Sequence, residues 1–389
     1  MSDSTSWASP GGPTPDAPHG APGASPYAPA AQPVSQGASA SAPFGVVPPS
    51  PGWTPPPKPG LIPLRPIEFG TVLGASFQVL RRNPRPTFGA ALLLNALVVF
   101  LSSGISTIIL LSGVDRASRA SLADADTILA GTVALAVVAT LLAIGISVVA
   151  QALLQGIISV EVSRATLGEK LTLRQLVRVG RGRWWALIGW TALVGFAVGL
   201  GVAVLIALSL GFFIVGQPAA IAGGIVFLLI GGLGFLVLAA WLSTKLAFVP
   251  ASIIIERLPL SGALRRSWSL VRGAFWRIFG TLVLITVMVN LAASIVTTPV
   301  QFAATFALPL ANPAGELETD FSLFIILNLV VIAITSVVGA IGAVLTTSAT
   351  SLLYIDRRMR TEGLDLELQR YVELRASGAA GADPYLTAP

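Results

Sequence analysis

Residues 184 to 244 read WWALIGWTALVGFAVGLGVAVLIALSLGFFIVGQPAAIAGGIVFLLIGGLGFLVLAAWLST, 61 consecutive residues without one Asp, Glu, Lys or Arg. As one helix the run would be about 90 Å long at 1.5 Å per residue, three times the ~30 Å hydrocarbon layer of a bilayer. Gly216-Gln217-Pro218 near its middle is a turn signal, so the run divides into two spans, at about 185–208 and 219–242. Working outward in both directions, further uncharged runs place spans at about 88–111, 128–150, 278–300 and 322–345, with Pro309 and Pro313 expected to end regular helix after the fifth. The runs are apolar all round and lack the alternation of a membrane β-barrel. In lipid every backbone N–H and C=O must pair within its own segment, which leaves helices. The fold class is therefore an all-α, six-span polytopic membrane protein.

Composition agrees. The 389 residues are 54% hydrophobic and 11% charged, about half the charged fraction of an ordinary globular chain. Zero cysteines exclude disulfides and thiolate chemistry. The one histidine, His19, stands in a Pro/Ala/Gly stretch, so histidine catalysis and multi-histidine metal sites are excluded as well. No catalytic, cofactor-binding or metal site is expected. Residues 1–60 hold 16 of the 28 prolines and read as a disordered tail with a polyproline II spacer at Pro55 to Pro59, open to a protein partner. Residues 61–360 form the membrane domain, and 361–389 a C-terminal helix and tail.

Charge orients the spans. Of 24 Lys and Arg residues, 22 lie before span one, between spans two and three, between four and five, or after six. Only Arg116 and Arg119 lie on the other side, accompanied by Asp115, Asp124, Asp126, Glu316, Glu318 and Asp320. The positive-inside rule then puts both termini in the cytoplasm, and an even number of spans agrees. With Arg outnumbering Lys 21 to 3 amid abundant Ala, Gly and Pro, a bacterial plasma membrane is the expected location.

An internal repeat shows in the spacing. Ser76-Phe77-Gln78-Val79-Leu80-Arg81, followed by Phe88-Gly89, recurs 191 residues later as Ser267-Trp268-Ser269-Leu270-Val271-Arg272, followed by Phe279-Gly280. A weaker copy, Leu176-Val177-Arg178, lies between them. Each is an amphipathic interfacial helix feeding an odd span, with Thr172 and Gln175 set as a capping box and Ser261 as the cap of the third. The even spans run 34, 37 and 35 residues before meeting Glu161, Glu256 and Asp356. They must tilt, protrude or kink, and Pro250 is the expected kink. Three parallel units result, each an interfacial helix and two spans. Pro57-Lys58-Pro59-Gly60-Leu61-Ile62-Pro63-Leu64-Arg65-Pro66, then Phe77 and Arg81-Arg82-Asn83-Pro84, resemble the opening of actinobacterial six-span proteins often labelled the membrane domain of glycerophosphoryl diester phosphodiesterase. The resemblance covers roughly residues 55 to 375. It implies a membrane domain and, only where a catalytic domain is fused, a phosphodiesterase.

Candidate sites follow from the few polar positions. No ionisable residue lies near the middle of any span, which argues against a proton-coupled pump. Gln151 and Gln155, Thr244 with Lys245, and Thr346 with Thr347 lie at similar distances from the three acids. Two readings stay open: a polar vestibule facing the cytoplasm, or wet helix ends and interhelical hydrogen bonds. Lys245 is expected to snorkel at the boundary, and Glu161, Glu256 and Asp356 to pair with neighbouring arginines. Arg81, Arg178 and Arg272 are candidate contacts for anionic phospholipid, the alternative being topological anchoring. Asn95, Asn290 and Asn328 read as glue between helices, and the Gly195/Gly199 pair with Gly223, Gly224, Gly231, Gly232 and Gly234 as the packing face of spans three and four, the alternative being self-association through that face. The expected partners are membrane lipids and not nucleic acid, despite a pI of about 10.3, since the charge is committed to the membrane face. Function divides between a structural or lipid-organising protein at the inner leaflet and a transporter or lipid-handling protein that uses the polar helix ends.

Overall fold

The computed structural model describes residues 60–214, 217–311, 317–379 and 381–386. The Pro-rich tail and its polyproline spacer lie outside the described residues, as do Gly216 and Pro313. The chain forms α1 (Phe69–Arg82), a π-helical turn (Arg85–Gly89), α2 (Ala90–Arg119), α3 (Leu122–Thr166), α4 (Leu173–Val179), α5 (Trp184–Ile214) and α6 (Pro218–Lys245). It continues through α7 (Val249–Ile255), α8 (Leu260–Val271), α9 (Phe275–Ala311), α10 (Leu317–Glu362) and α11 (Leu364–Ala376), with no strand among the described residues. Six helices are long and apolar enough to cross a membrane, with mean hydropathy of 2.2 to 2.7 over their most apolar stretches.

Neighbour contacts make a closed circuit of these six. α2 packs on α3, α3 on α5, α5 on α6, α6 on α9, α9 on α10 and α10 back on α2, while α3 and α10 also touch directly. The buried core is not spread along the circuit. No more than 12% of each membrane-length stretch is buried, and side chains such as Leu141, Phe196, Leu229 and Leu291 lie exposed, which suits a lipid solvent. Burial concentrates at the arginine-rich end instead, in Ile157, Ile158, Val160, Ile253, Ile254, Leu352 and Tyr354 among others.

Length explains this. α3 has 45 residues and α10 has 46, about 68 Å each at 1.5 Å per residue, so over half of each lies beyond a ~30 Å hydrocarbon layer. These overhanging ends form a packed layer with α1, α4, α7, α8 and α11. α1 buries Val72, Ala75, Ser76 and Val79, and α8 buries Ala263, Ser267, Leu270 and Val271. A non-helical strap, residues 60–67, completes the layer. Leu61, Ile62, Leu64 and Ile67 are buried. The Leu61 N–H donates to Ala165 O at 2.9 Å, and Gln369 Nε2 donates to Leu64 O at 3.0 Å.

Several sequence expectations need correction. α6 breaks at Leu246–Phe248, before Pro250, and Pro250 sits in the first turn of α7, where its missing N–H costs nothing. The Ser267 hydroxyl holds the break by donating to Lys245 O at 2.8 Å and accepting from the Phe248 N–H at 3.2 Å. α9 runs through Pro299 and Pro309 to Ala311, since a proline removes one helix bond and the segment can otherwise continue. The N-cap of α8 is Pro259, two residues ahead of the expected cap Ser261. Gly199 meets open space and Gly195 only Val148, so that pair is not the packing face of α5 and α6. The close approaches are Gly201 on Phe235, Gly224 on Phe212 and Gly231 on Leu205. Asn95 does join two helices, donating to Ser336 O at 3.3 Å, whereas Asn290 donates to Thr286 O of its own helix.

Candidate functional site

Acids that end the even spans anchor the arginine-rich layer. Glu256, which follows α7 directly, accepts from Arg266 Nε at both carboxylate oxygens, at 3.1 and 3.0 Å, and from the Tyr354 hydroxyl. Arg358 approaches it at 3.5 Å, and Glu362 ties both arginines from the far side, at 2.6 Å to Arg266 and 3.0 Å to Arg358. Burial raises the Glu256 carboxyl above the ordinary glutamate range, opposed by Arg358 and Arg266. Asp356 accepts from the Ile67 N–H at 2.8 Å and from Arg360 Nε at 3.0 and 2.9 Å, locking the strap to α10.

Glu161 departs from the expectation that all three acids pair with arginine. It is buried, one oxygen accepts from Asn83 Nδ2 at 3.1 Å, and the other has no partner among the described residues. The neighbouring guanidinium, Arg82, is instead spent on Ala165 O at 2.7 Å, one of the orphan carbonyls at the α3 C-terminus.

A polar cleft of about 220 Å³ opens between α3, α7 and α10. Gln151, Gln155, Thr346 and Thr347 line it together, joined by Ser159, Thr350 and Ser351. Ser159 and Ser351 share a hydrogen bond of 3.0 Å. Thr346 and Thr350 each donate to a carbonyl of their own helix, at 2.8 Å, so their oxygens remain available as acceptors. The other wall is Ala247, Pro250 and Ala251. Thr244 and Lys245 are not part of it. The break at Leu246–Phe248 turns the chain there: Thr244 is buried and donates to Ala240 O, while Lys245 Nζ sits 5.2 Å from the Trp268 ring and 5.5 Å from that of Phe275. Ser159 and Ser351 were readable as the next polar residues one helical turn beyond Gln155 and Thr347.

On the other side of α6 a second depression, about 490 Å³, is lined by Leu242, Leu246, Leu264, Arg265, Trp268, Ser269 and Arg272. Trp241 meets Trp268 edge-on at 5.6 Å. Of the three candidate lipid contacts, Arg272 belongs to this groove, while Arg81 and Arg178 are exposed on α1 and beside α4's C-terminus, away from it.

The C-terminal segment returns to the same layer. Tyr385 is buried, bonded through its hydroxyl to Thr166, and its carbonyl accepts from Arg358 Nη1 at 3.1 Å. Asp383 pairs with Arg164. Burial pushes the Tyr385 hydroxyl above its ordinary range. Nothing in residues 377–389 signals this docking locally.

No curated protein and no solved structure matches the chain. One family does, described as a domain of unknown function, DUF7847, over residues 67–353. That match runs from the end of the strap through five membrane-length helices and into the sixth, and takes in the cleft, the groove and two of the three acids, so the chain belongs to the DUF7847 family.

Proposed function

We propose that this is a multi-pass protein of a bacterial plasma membrane, with its arginine-rich end in the cytoplasm, that organises anionic phospholipid and its partners at the inner leaflet. The observation that carries the reading is the asymmetry of the molecule: apolar spans with little burial, closed at one end by a packed layer. That layer presents Arg81, Arg178, Arg265 and Arg272 unpaired among the described residues, beside Trp185, Trp268 and Trp276. Each such cation near an anionic surface contributes about 1 kcal/mol, and tryptophan favours the boundary depth. The shared burial of positions 72, 76 and 79 in α1 and 263, 267 and 270 in α8, each pair 191 residues apart, supports a repeated interfacial unit. The resemblance to six-span proteins bearing a phosphodiesterase label supports the membrane fold and adds no reaction. The N-terminal tail is proposed to serve a protein partner.

Two measurements test the reading. Reporter fusions at Ser121 and Leu317 should signal outside the cytoplasm while both termini signal inside; the reverse pattern ends it. Protein extracted from native membrane should carry anionic lipid in excess of its share of the bilayer.

A second reading has its own observation. The cleft brings seven hydroxyl and amide side chains together between α3, α7 and α10 with no charged residue in its wall, which suits an uncharged polar solute or headgroup in a transporter or lipid-handling protein. Cysteines placed at 151 and 347 should label with a water-soluble maleimide, and movement of solute or labelled phospholipid in liposomes would favour this reading over the first.

A further inference from the structure

We infer that the groove between α6 and α8 is a binding site for one anionic glycerophospholipid, its acyl chain on Leu242, Leu246 and Leu264 and its phosphate between Arg265 and Arg272. The inference rests on the proposed association of the arginine-rich end with an anionic leaflet and adds a defined place for it.

The argument begins with how α8 is divided. Its inward arginine, Arg266, is held by Glu256 and Glu362. Arg265 and Arg272 are seven residues apart, two turns along one face, and neither has an ion pair among the described residues. Trp268 and Ser269 lie between them on that face. Lys245, also without an acid, stands against the Trp268 ring at 5.2 Å. Lys245 thus adds a third cation at the Trp268 indole, which lines the same groove as Arg265 and Arg272.

Opposite them the wall is the end of an apolar span. Leu242 is exposed, as are Leu238 and Trp241 before it, so the groove continues the surface that α6 offers to lipid chains. A soluble anion would answer the charges and leave the leucines wet. An alkane would cover the leucines and leave the guanidinium groups unpaired. A phosphodiester carrying an acyl chain satisfies both at once, by charge-assisted hydrogen bonds from arginine and burial of apolar surface. A volume of about 490 Å³ is ample for part of such a molecule.

The experiment uses the full chain in nanodiscs of equal phosphatidylglycerol and phosphatidylcholine, released into the gas phase for native mass spectrometry. The unaltered protein should retain phosphatidylglycerol preferentially. The double variant Arg265→Gln/Arg272→Gln should cut that retention at least tenfold. Leu264→Trp, which fills the groove without changing charge, should do the same, and Arg81→Gln/Arg178→Gln, which removes surface cations outside the groove, should lower retention by clearly less, about threefold. Circular dichroism and melting of each variant check that the fold persists. Equal losses from both arginine pairs would overturn the groove and leave the wider lipid reading standing. No preference in the unaltered protein would overturn both. Retention abolished by inorganic phosphate at millimolar concentration, with phosphatidylcholine kept equally, would assign the arginines to a free anion and overturn the lipid site.

Discussion

Substituting Glu256 by Gln removes the charge that Arg266 and Arg358 share. The Arg358 side chain is 4% exposed, so water cannot replace the lost partner, although Glu362 still engages both arginines. Breaking such a buried pair costs about 3 kcal/mol, and the expected result is a clear fall in the melting temperature of the protein in detergent or nanodiscs. Asp115→Asn provides the contrast. Its pair with Arg119 has side chains 54% and 78% exposed, and such surface pairs contribute less than about 1 kcal/mol, so no resolvable change is expected. Ser267→Ala belongs to the first kind. It leaves the Phe248 N–H buried without its acceptor at the break between α6 and α7, a loss of about 1–2 kcal/mol.

Between helices, glycine acts where backbone approaches a rigid ring. A Cβ at Gly156 of α3 would lie 2.4 Å from Trp184 of α5. That indole cannot easily yield, since its Nε1 donates to Val177 O at 3.1 Å. Gly156→Ala is therefore expected to destabilise by about 1–3 kcal/mol through overpacking. Gly199→Ala meets open space and should be neutral or slightly stabilising through helix propensity; thermal unfolding of the two variants side by side distinguishes them. The GxxxG pair Gly195/Gly199 misleads because that spacing marks a helix face without saying what stands opposite it, whereas Gly224 and Gly231 of the glycine-rich fourth span do meet Phe212 and Leu205. Where length alone carries the message, reading was easier: uncharged runs longer than a bilayer is thick became helices of 45 and 46 residues. Equal distance from an acid groups Thr244 and Lys245 with Gln151 and Thr346 only if the helix is unbroken. Three non-helical residues after Lys245 undo it, and Lys245 faces Trp268.

At the level of the whole chain, parts far apart in sequence share one layer. The strap before α1 bonds to α3, α10 and α11, and Tyr385 bonds to Thr166 and Arg358. Neither segment has helical periodicity, and each is held by at least one partner more than 100 residues away, as with Thr166 and Tyr385, 219 apart. A single pass along the chain therefore cannot reveal it. Tyr385→Ala should cost about 3 kcal/mol, as expected for emptying a fully buried aromatic site. Deletion of 383–389 should in addition expose the Arg164 region to limited proteolysis; a truncated protein as resistant as the full chain would show that the segment is dispensable to the layer. The Pro-rich tail contributes to neither expectation.

Because the six helices are tied together where their ends overhang and are sparsely packed elsewhere, stiffness is distributed unevenly along the molecule's long axis. The knotted end sets the spacing of the rods, while their far ends, paired by contacts such as Gly113 on Thr132 and Gly224 on Phe212, take pair by pair the tilt that the surrounding bilayer allows. Thinning or bending that bilayer should then splay the far ends like ribs of a half-open fan, with little disturbance at the hub.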